Sequence, residues 1–401
     1  MKIKTFLVLA LVGILAACAP VAQDTRQASF LPPTINSTPT QSTSPTPTPL
    51  PSPTLTQTLP PPPDQSDETV LLPSPDDQWK VILDRDVGSL EVEDVQGVKQ
   101  SVFPPGSTVG EAKWSPDSRR LAVVLSHLPE KPDQGQSIEL PEIRLITFEG
   151  GAFREAEPGY MAGEASRGQI VLGAWSPDSC RLLFWSGPLS ASIKADGLPL
   201  WVLDTESMQA TRLSETTLIN QAYQSWSPDG STLVFTDGGY RSAQLNKWLS
   251  LYEVDSGQVT TLIPEDELVP GQVTWSPAGE AIAFAAVKAG QTGDEWADWM
   301  GWDNPAIQAR RIYLLDPSSG QYRRLNTAEV YQDAPRWSAN GNTLYYVQID
   351  GDQAVIMSGD PATGEAQSVH GCKMPLPSRA GYYGQVDWIG FYENCTETTQ
   401  S

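Results

Sequence analysis

Histidine is almost missing from this 401-residue chain, where His127 and His370 are the only two. That excludes a histidine-rich metal centre and leaves little for imidazole acid–base chemistry. Four cysteines are too few for a disulfide-dense scaffold. Lys and Arg number 26 against 48 Asp and Glu, a formal charge of −22. Phosphate neutralisation needs clustered cations, so no nucleic-acid partner is expected. The same deficit argues against a polybasic membrane-surface protein. What the chain has in quantity is Gly (32) and Pro (35), residues of turns rather than of helices. The expectation is an acidic, turn-rich, all-β protein. Length alone suggests two or three domains, but repeat arrays often exceed that prior.

The N-terminus reads as an address. Met1-Lys2-Ile3-Lys4 is followed by an apolar run from Phe6 to Leu15. A charged start and a short apolar run make a signal peptide, too short to span a bilayer comfortably. It ends Leu15-Ala16-Ala17-Cys18, which resembles the lipobox of bacterial lipoproteins. The resemblance implies cleavage after residue 17 and a diacylglycerol on the Cys18 thiol. The acyl chains of such a cysteine suffice for stable anchoring. Residues 18–68 follow as a stalk, rich in Pro, Thr and Ser from 31 to 63. Such a stretch cannot bury a core and stays extended, reaching at most on the order of 140 Å. The expected address is therefore extracytoplasmic, with a lipid anchor in the cell membrane.

From about residue 69 to the end one phrase recurs. It reads SPDDQWKVIL at Ser74, WSPDSRRLAVV at Trp114, WSPDSCRLLFW at Trp175, WSPDGSTLVFT at Trp226, WSPAGEAIAFA at Trp275 and WSANGNTLYYV at Trp337. A second phrase follows each first one, as in LWVLDTESMQATRL from Leu200 and LSLYEVDSGQVTTL from Leu249. Six paired phrases at a pitch of roughly 50 residues define a repeat architecture. In the first phrase a strand ends at Trp and Ser-Pro-Asp turns the chain, because Pro fixes φ and Asp bonds the backbone that follows. An alternating apolar run then makes a second strand. The second phrase is a hairpin whose Gly supplies positive φ. Each repeat is thus a four-stranded antiparallel sheet with two apolar faces, which copies packed radially can bury.

The WSPDG phrase followed by alternating Leu and Phe resembles the repeat of TolB-like propellers, also found in prolyl oligopeptidases. The resemblance covers residues 70 to 392 and implies a six-bladed β-propeller of four-stranded blades. Seven blades is the alternative. It says little about function, since one fold hosts many roles. Trp114, Trp175, Trp226, Trp275 and Trp337, with Asp117, Asp178 and Asp229, are expected to be structural. The first repeat has Pro73 where the others carry Trp. Gln385-Val386-Asp387-Trp388 resembles the missing strand, so Trp388 is expected to close the ring by completing blade one.

No catalytic constellation stands out. Neither histidine sits in a motif, no G-x-S-x-G elbow occurs, and no α/β-hydrolase pattern follows the repeats. No calcium loop is present, and Asp350-Gly351-Asp352 reads as a hairpin turn. No cofactor, metal or catalytic residue is expected. Cys372 and Cys395 flank the closing strand and are expected to form a disulfide outside the cytoplasm, while Cys180 falls in a turn. An insertion at residues 286–310 carries Trp296, Asp298, Trp299 and Trp302. Its tryptophans either pack on the blade edges or form an exposed aromatic platform with a polar rim. The overall expectation is a monomeric, non-enzymatic binding or scaffolding module for an envelope protein, peptide or glycan. The rival is an envelope enzyme working at the channel mouth, which a carboxylate pair of raised pKa would favour.

Overall fold

The computed structural model describes residues 69–105, 107–126, 141–149, 152–155, 168–188, 196–239, 245–290, 301–381 and 384–395. These form six four-stranded antiparallel sheets, each built from four consecutive strands. Sheet one holds β1 (Thr69–Pro73), β2 (Trp79–Asp84), β3 (Ser89–Asp94) and β4 (Lys99–Phe103). Sheet two holds β5 (Thr108–Trp114), β6 (Arg120–Ser126), β7 (Glu142–Glu149) and β8 (Ala152–Glu155). Sheet three holds β9 (Gly168–Trp175), β10 (Arg181–Pro188), β11 (Leu198–Asp204) and β12 (Ala210–Thr217). Sheet four holds β13 (Gln224–Trp226), β14 (Thr232–Asp237), β15 (Trp248–Glu253) and β16 (Gln258–Ile263). Sheet five holds β17 (Leu268–Trp275), β18 (Ile282–Lys288), β19 (Arg311–Leu315) and β20 (Tyr322–Arg324). Sheet six holds β21 (Gln332–Trp337), β22 (Leu344–Asp350), β23 (Gln353–Gly359) and β24 (Ala366–Pro375). The protein is a six-bladed β-propeller, and the seven-bladed alternative falls.

The Ser-Pro-Asp turn holds each blade by a repeated set of bonds. Ser115 Oγ donates to Asp117 Oδ1 at 2.6 Å and accepts from the Arg120 backbone N–H at 2.9 Å. Ser227 repeats this with Asp229 and Thr232, and Ser74 with Asp76 and Trp79. Asp178 Oδ1 likewise accepts from Ser176 and from the Cys180 N–H. The fourth turn position has positive φ in all six repeats, from Asp77 (56°) to Gly341 (74°). Where the sixth repeat replaces Pro-Asp, Asn340 still takes the Ser338 hydroxyl at 2.8 Å.

The same motif joins neighbouring blades. Trp114 Nε1 donates to Leu72 O at 3.1 Å, Trp175 Nε1 to Lys113 O at 3.2 Å and Trp337 Nε1 to Thr274 O at 3.4 Å. Each accepting carbonyl lies two residues before the motif serine of the preceding blade, so equivalent strands face each other with a common direction. The Asp76 and Asp117 N–H groups donate to Ser118 and Ser179 of the next blade, both at 3.0 Å. Trp226 and Trp275 are packed against the neighbouring sheets without a bond at Nε1. Five apolar clusters each bury the facing sides of two successive sheets.

The C-terminus corrects one expectation. Residues 69–73 themselves supply the leading strand of sheet one, pairing from Thr69↔Asp84 to Pro73↔Lys80. The alternating TVLLP segment is already extended beside β2, so no distant strand is needed. Trp388 is not a strand residue of blade one. It precedes a short C-terminal helix, α1 (Ile389–Glu393), and is 2% exposed. With Val386, Phe391, Tyr392 and Cys395 it covers the side of sheet six turned away from sheet five. Among the described residues no helix is long and apolar enough to cross a membrane.

Candidate functional site: the loop face of the propeller

Antiparallel strands with a common direction give the disc two unlike faces. On one, the turn face, lie the Ser-Pro-Asp turns and the hairpins between third and fourth strands. Its carboxylates are occupied by their own turns. Asp94, Asp204, Asp316 and Asp360 each accept two backbone N–H bonds at Oδ1. The Ser318 and Ser319 hydroxyls pull Asp316 down to about 2, and the Ser227 hydroxyl lowers Asp229. The motif aspartates thus act as turn formers, and part of the acidic surplus has a local structural reason.

The other face carries the long connections. Between second and third strands these are residues 127–141, 189–197, 238–247 and 289–310, against 85–88 and 351–352 in blades one and six. The buried titratable groups also gather here and around the channel. Asp237, at the end of β14, is 7% exposed and sits at the floor of a cleft. Burial pushes its carboxyl up, although four groups donate to it: Ser214 Oγ, the Gly238 N–H, the Trp248 indole and Ser250 Oγ. Asp333 accepts from Tyr331 Oη at 2.7 Å and the Ala334 N–H at 2.9 Å, and lies 3.8 Å from the Arg310 guanidinium. Arg310 and Asp333 are nearly inaccessible, at 1% and 2%. Arg310 fits only because residue 271 is Gly: a Cβ there would lie 2.0 Å from Nη1. In the channel wall, burial raises Glu111, whose Oε2 accepts the Leu172 N–H at 2.9 Å. Lys113 Nζ reaches from blade two to Gln221 Oε1 at 3.1 Å, just before blade four.

Lys247 is fully buried and donates to Gly239 O and to Leu245 O, the latter at 2.8 Å. Burial brings it down to about 7, helped by the Arg310 charge and opposed by Glu265. Between pH 7 and 10.5 the unfolded chain therefore holds a proton that the folded protein lacks, and stability rises with pH. Burial raises Tyr223 to about 12, which reverses the slope above pH 10. Thermal unfolding should show the melting temperature climbing from pH 7 to about 9, where the raised Cys395 thiol offsets the lysine, and falling above pH 10, with stability rising at a limiting slope near 1.4 kcal/mol per pH unit on the climb. Lys247→Met should flatten the climb. An unchanged slope in that variant would refute the assignment.

The sequence-predicted residues scatter. Trp302 is half-buried and donates from Nε1 to Pro377 O at 2.7 Å. Its ring meets Tyr331 edge-on at 5.6 Å and Trp388 at 6.1 Å, so it packs down on the C-terminal segment. Trp296, Asp298 and Trp299 lie outside the described residues, as do Cys18 and His127. His370 is exposed on β24. Cys372 and Cys395 are brought together in the apolar cluster over sheet six, as neighbouring thiols rather than as the expected disulfide. The Cys372 sulfur stands 3.9 Å from Cys395 O, and burial with the Cys372 contact pushes the Cys395 thiol up to about 12. Asp350-Gly351-Asp352 forms the β22–β23 hairpin. Sequence reasoning missed Asp237, Lys247, Arg310 and Asp333. Their only signal is a charged residue at the loop-face end of a strand, where the repeat pattern stops. Among the described residues no three His, Cys, Asp or Glu groups converge as a metal site.

The molecule is a six-bladed β-propeller of WSPDG-type repeats whose loop face sits over buried charges. No protein-family profile matches the chain, and no curated protein sequence is similar to it. Solved structures with a similar fold include TolB from Acinetobacter baumannii, 16% identical over 77% of this chain, TM-score 0.35. This chain spans 63% of that protein. An oligogalacturonate lyase from Vibrio parahaemolyticus is 16% identical over 76% of each chain, TM-score 0.42. The acylaminoacyl peptidase of Pyrococcus horikoshii is 14% identical over 79% of this chain and 46% of its own, TM-score 0.39.

Proposed function

We propose that the protein is an exported, lipid-anchored lipoprotein whose propeller is a non-enzymatic binding module, with the loop face as its binding face. One observation carries this reading: the long connections gather on one face, while the other holds short turns whose carboxylates are already occupied. The enzymatic rival called for a pair of carboxylates with raised pKa. Glu111 and Asp237 are raised singly, by burial, and each is engaged by backbone or side-chain donors. Asp237, with four donors, is a poor general base, because the proton it would take has no free lone pair to meet, and Glu111 is raised without a second raised carboxylate paired to it. The signal peptide, Cys18 and the stalk support a molecule held away from the membrane, acting as a monomer and without cofactor.

Site-specific photo-cross-linking in intact cells tests the reading. Photoreactive residues at Lys288 and Thr327, on the loop face, should give a discrete adduct. The same group at Ser256 and Ala362, on the turn face, should give none. Equal labelling from both faces would sink the proposal. In the same cells Cys18→Ser should move the protein from the detergent to the aqueous phase, and unchanged partitioning would remove the anchor from it.

A further inference from the structure

The loop face holds a cleft of about 690 Å³ between β12 of blade three and Gly238, Gly239, Asn246 and Trp248 of blade four. Its geometry points to a saccharide-binding site with Trp248 as the stacking plate, a narrower statement that rests on the loop face being the binding face. The half-buried indole lines the cleft and is held at two points. Its side chain is hydrogen-bonded to Asp237, and its Cζ3 lies against Gly238, where a Cβ would come within 2.9 Å. Gly238 has φ of 97° and bridges to Thr217, so the loop is drawn onto the edge of blade three. Gly239 comes equally close to Thr216, whose Cγ2 would lie 2.5 Å from a Cβ. A ring fixed in this way offers contact area without losing rotamer freedom on binding.

Around the plate stand planar polar groups of both kinds. Asn246 is exposed and supplies an amide donor and acceptor. Arg212 pairs with Glu215 at 2.8 Å, which holds a donor fork beside a carboxylate on the cleft wall. Adjacent sugar hydroxyls, each donor and acceptor, match such groups in pairs, while the C–H face of a pyranose ring covers an indole. The paired Arg212 and Glu215 charges cancel, so a neutral sugar is favoured over an anionic one. A peptide is the poorer fit. Among the described residues the cleft lining offers hydroxyl, amide, charged and glycine groups around one aromatic, with Leu213 the only aliphatic one.

The test uses the full chain with chitotetraose, cellotetraose and tetra-alanine as probes, read by saturation-transfer NMR and by tryptophan fluorescence. One of the tetrasaccharides should bind with a Kd of about 1 mM or below. Asn246→Ala and Glu215→Ala, both at exposed positions, should each weaken it by roughly tenfold, and Trp248→Phe should do so while keeping an aromatic plate. Ser256→Ala, on the turn face, should leave binding unchanged. Absence of saccharide binding up to about 10 mM would overturn the site, as would binding indifferent to Asn246 and Glu215, or binding of the peptide alone. Loop-face cross-linking that persists while saccharides fail would overturn this site and leave the binding-face reading standing.

Discussion

Deleting residues 384–401 is expected to abolish cooperative unfolding or to lower the melting temperature by on the order of 20 °C. The deletion removes Val386, Trp388, Phe391, Tyr392 and Cys395, all nearly inaccessible, from the side of sheet six that no other sheet covers in the described apolar clusters. Each such side chain contributes roughly 1.5–3 kcal/mol by burial, so five approach the whole stability of an ordinary domain, about 5–15 kcal/mol. The loss is also polar. Tyr392 Oη donates to Ala334 O at 2.7 Å, Trp388 Nε1 to Tyr331 Oη at 3.4 Å, and the Arg336 guanidinium lies 4.1 Å over the Tyr392 ring. Scanning calorimetry of the deleted chain, beside one ending at residue 395, separates the outcomes. An unaltered transition would mean that the segment is a passenger. The effect comes from an uncovered sheet face, not from an unfinished blade one.

Asp333→Asn is expected to cost about 3–5 kcal/mol, because it leaves the Arg310 charge buried with its counter-charge removed. Arg310 is 1% exposed, in space that the missing Cβ of Gly271 leaves open, so its charge is out of contact with solvent. Arg310→Met should be costly too, since it strands the Asp333 carboxylate among Tyr331, Ala334 and Tyr223. Combining the two should cost less than their sum. Urea unfolding of the four proteins in a double-mutant cycle measures the difference, expected at about 1–3 kcal/mol. Strict additivity would show that the pair does not act as a unit.

These two results lie on opposite sides of what could be read from the chain. The WSPDG phrases lead to the six sheets because a turn motif and an alternating strand are local. Ser115, Asp117 and Arg120 meet within six residues of chain, and the hairpin at Gly257 needs only its own φ of 68°. The strand preceding Ser74 was legible in the same way, as the alternation of TVLLP, yet the Trp of Gln385–Trp388 drew the reading elsewhere. A short motif match cannot tell a strand from a segment that packs as a loop and helix when both bury the same indole.

The candidate site was much less legible. Asp237 looks like any residue at a strand end until Ser214 of the neighbouring blade and Trp248 across the loop point at it. For Trp296, Trp299 and Trp302 the sequence left open both packing on the blade edges and an exposed platform. Trp302 turns down onto Pro377 and Trp388, because the C-terminal segment offers it a carbonyl and two aromatic neighbours.

The amino-acid sequence by itself determined the blade, the turns and the acidic character of the turn face, since these depend on contacts within a few residues, while the choice of six blades over seven came from the assembled sheets. Tertiary structure decided which face carries the long connections over buried charges, what covers the last blade and where a cleft opens. Those properties depend on residues far apart in the chain meeting across blades, as Lys113 meets Gln221, 108 positions further along. Local preference has no hold over such meetings. They follow from the packing of successive sheets, which brings equivalent strand ends together.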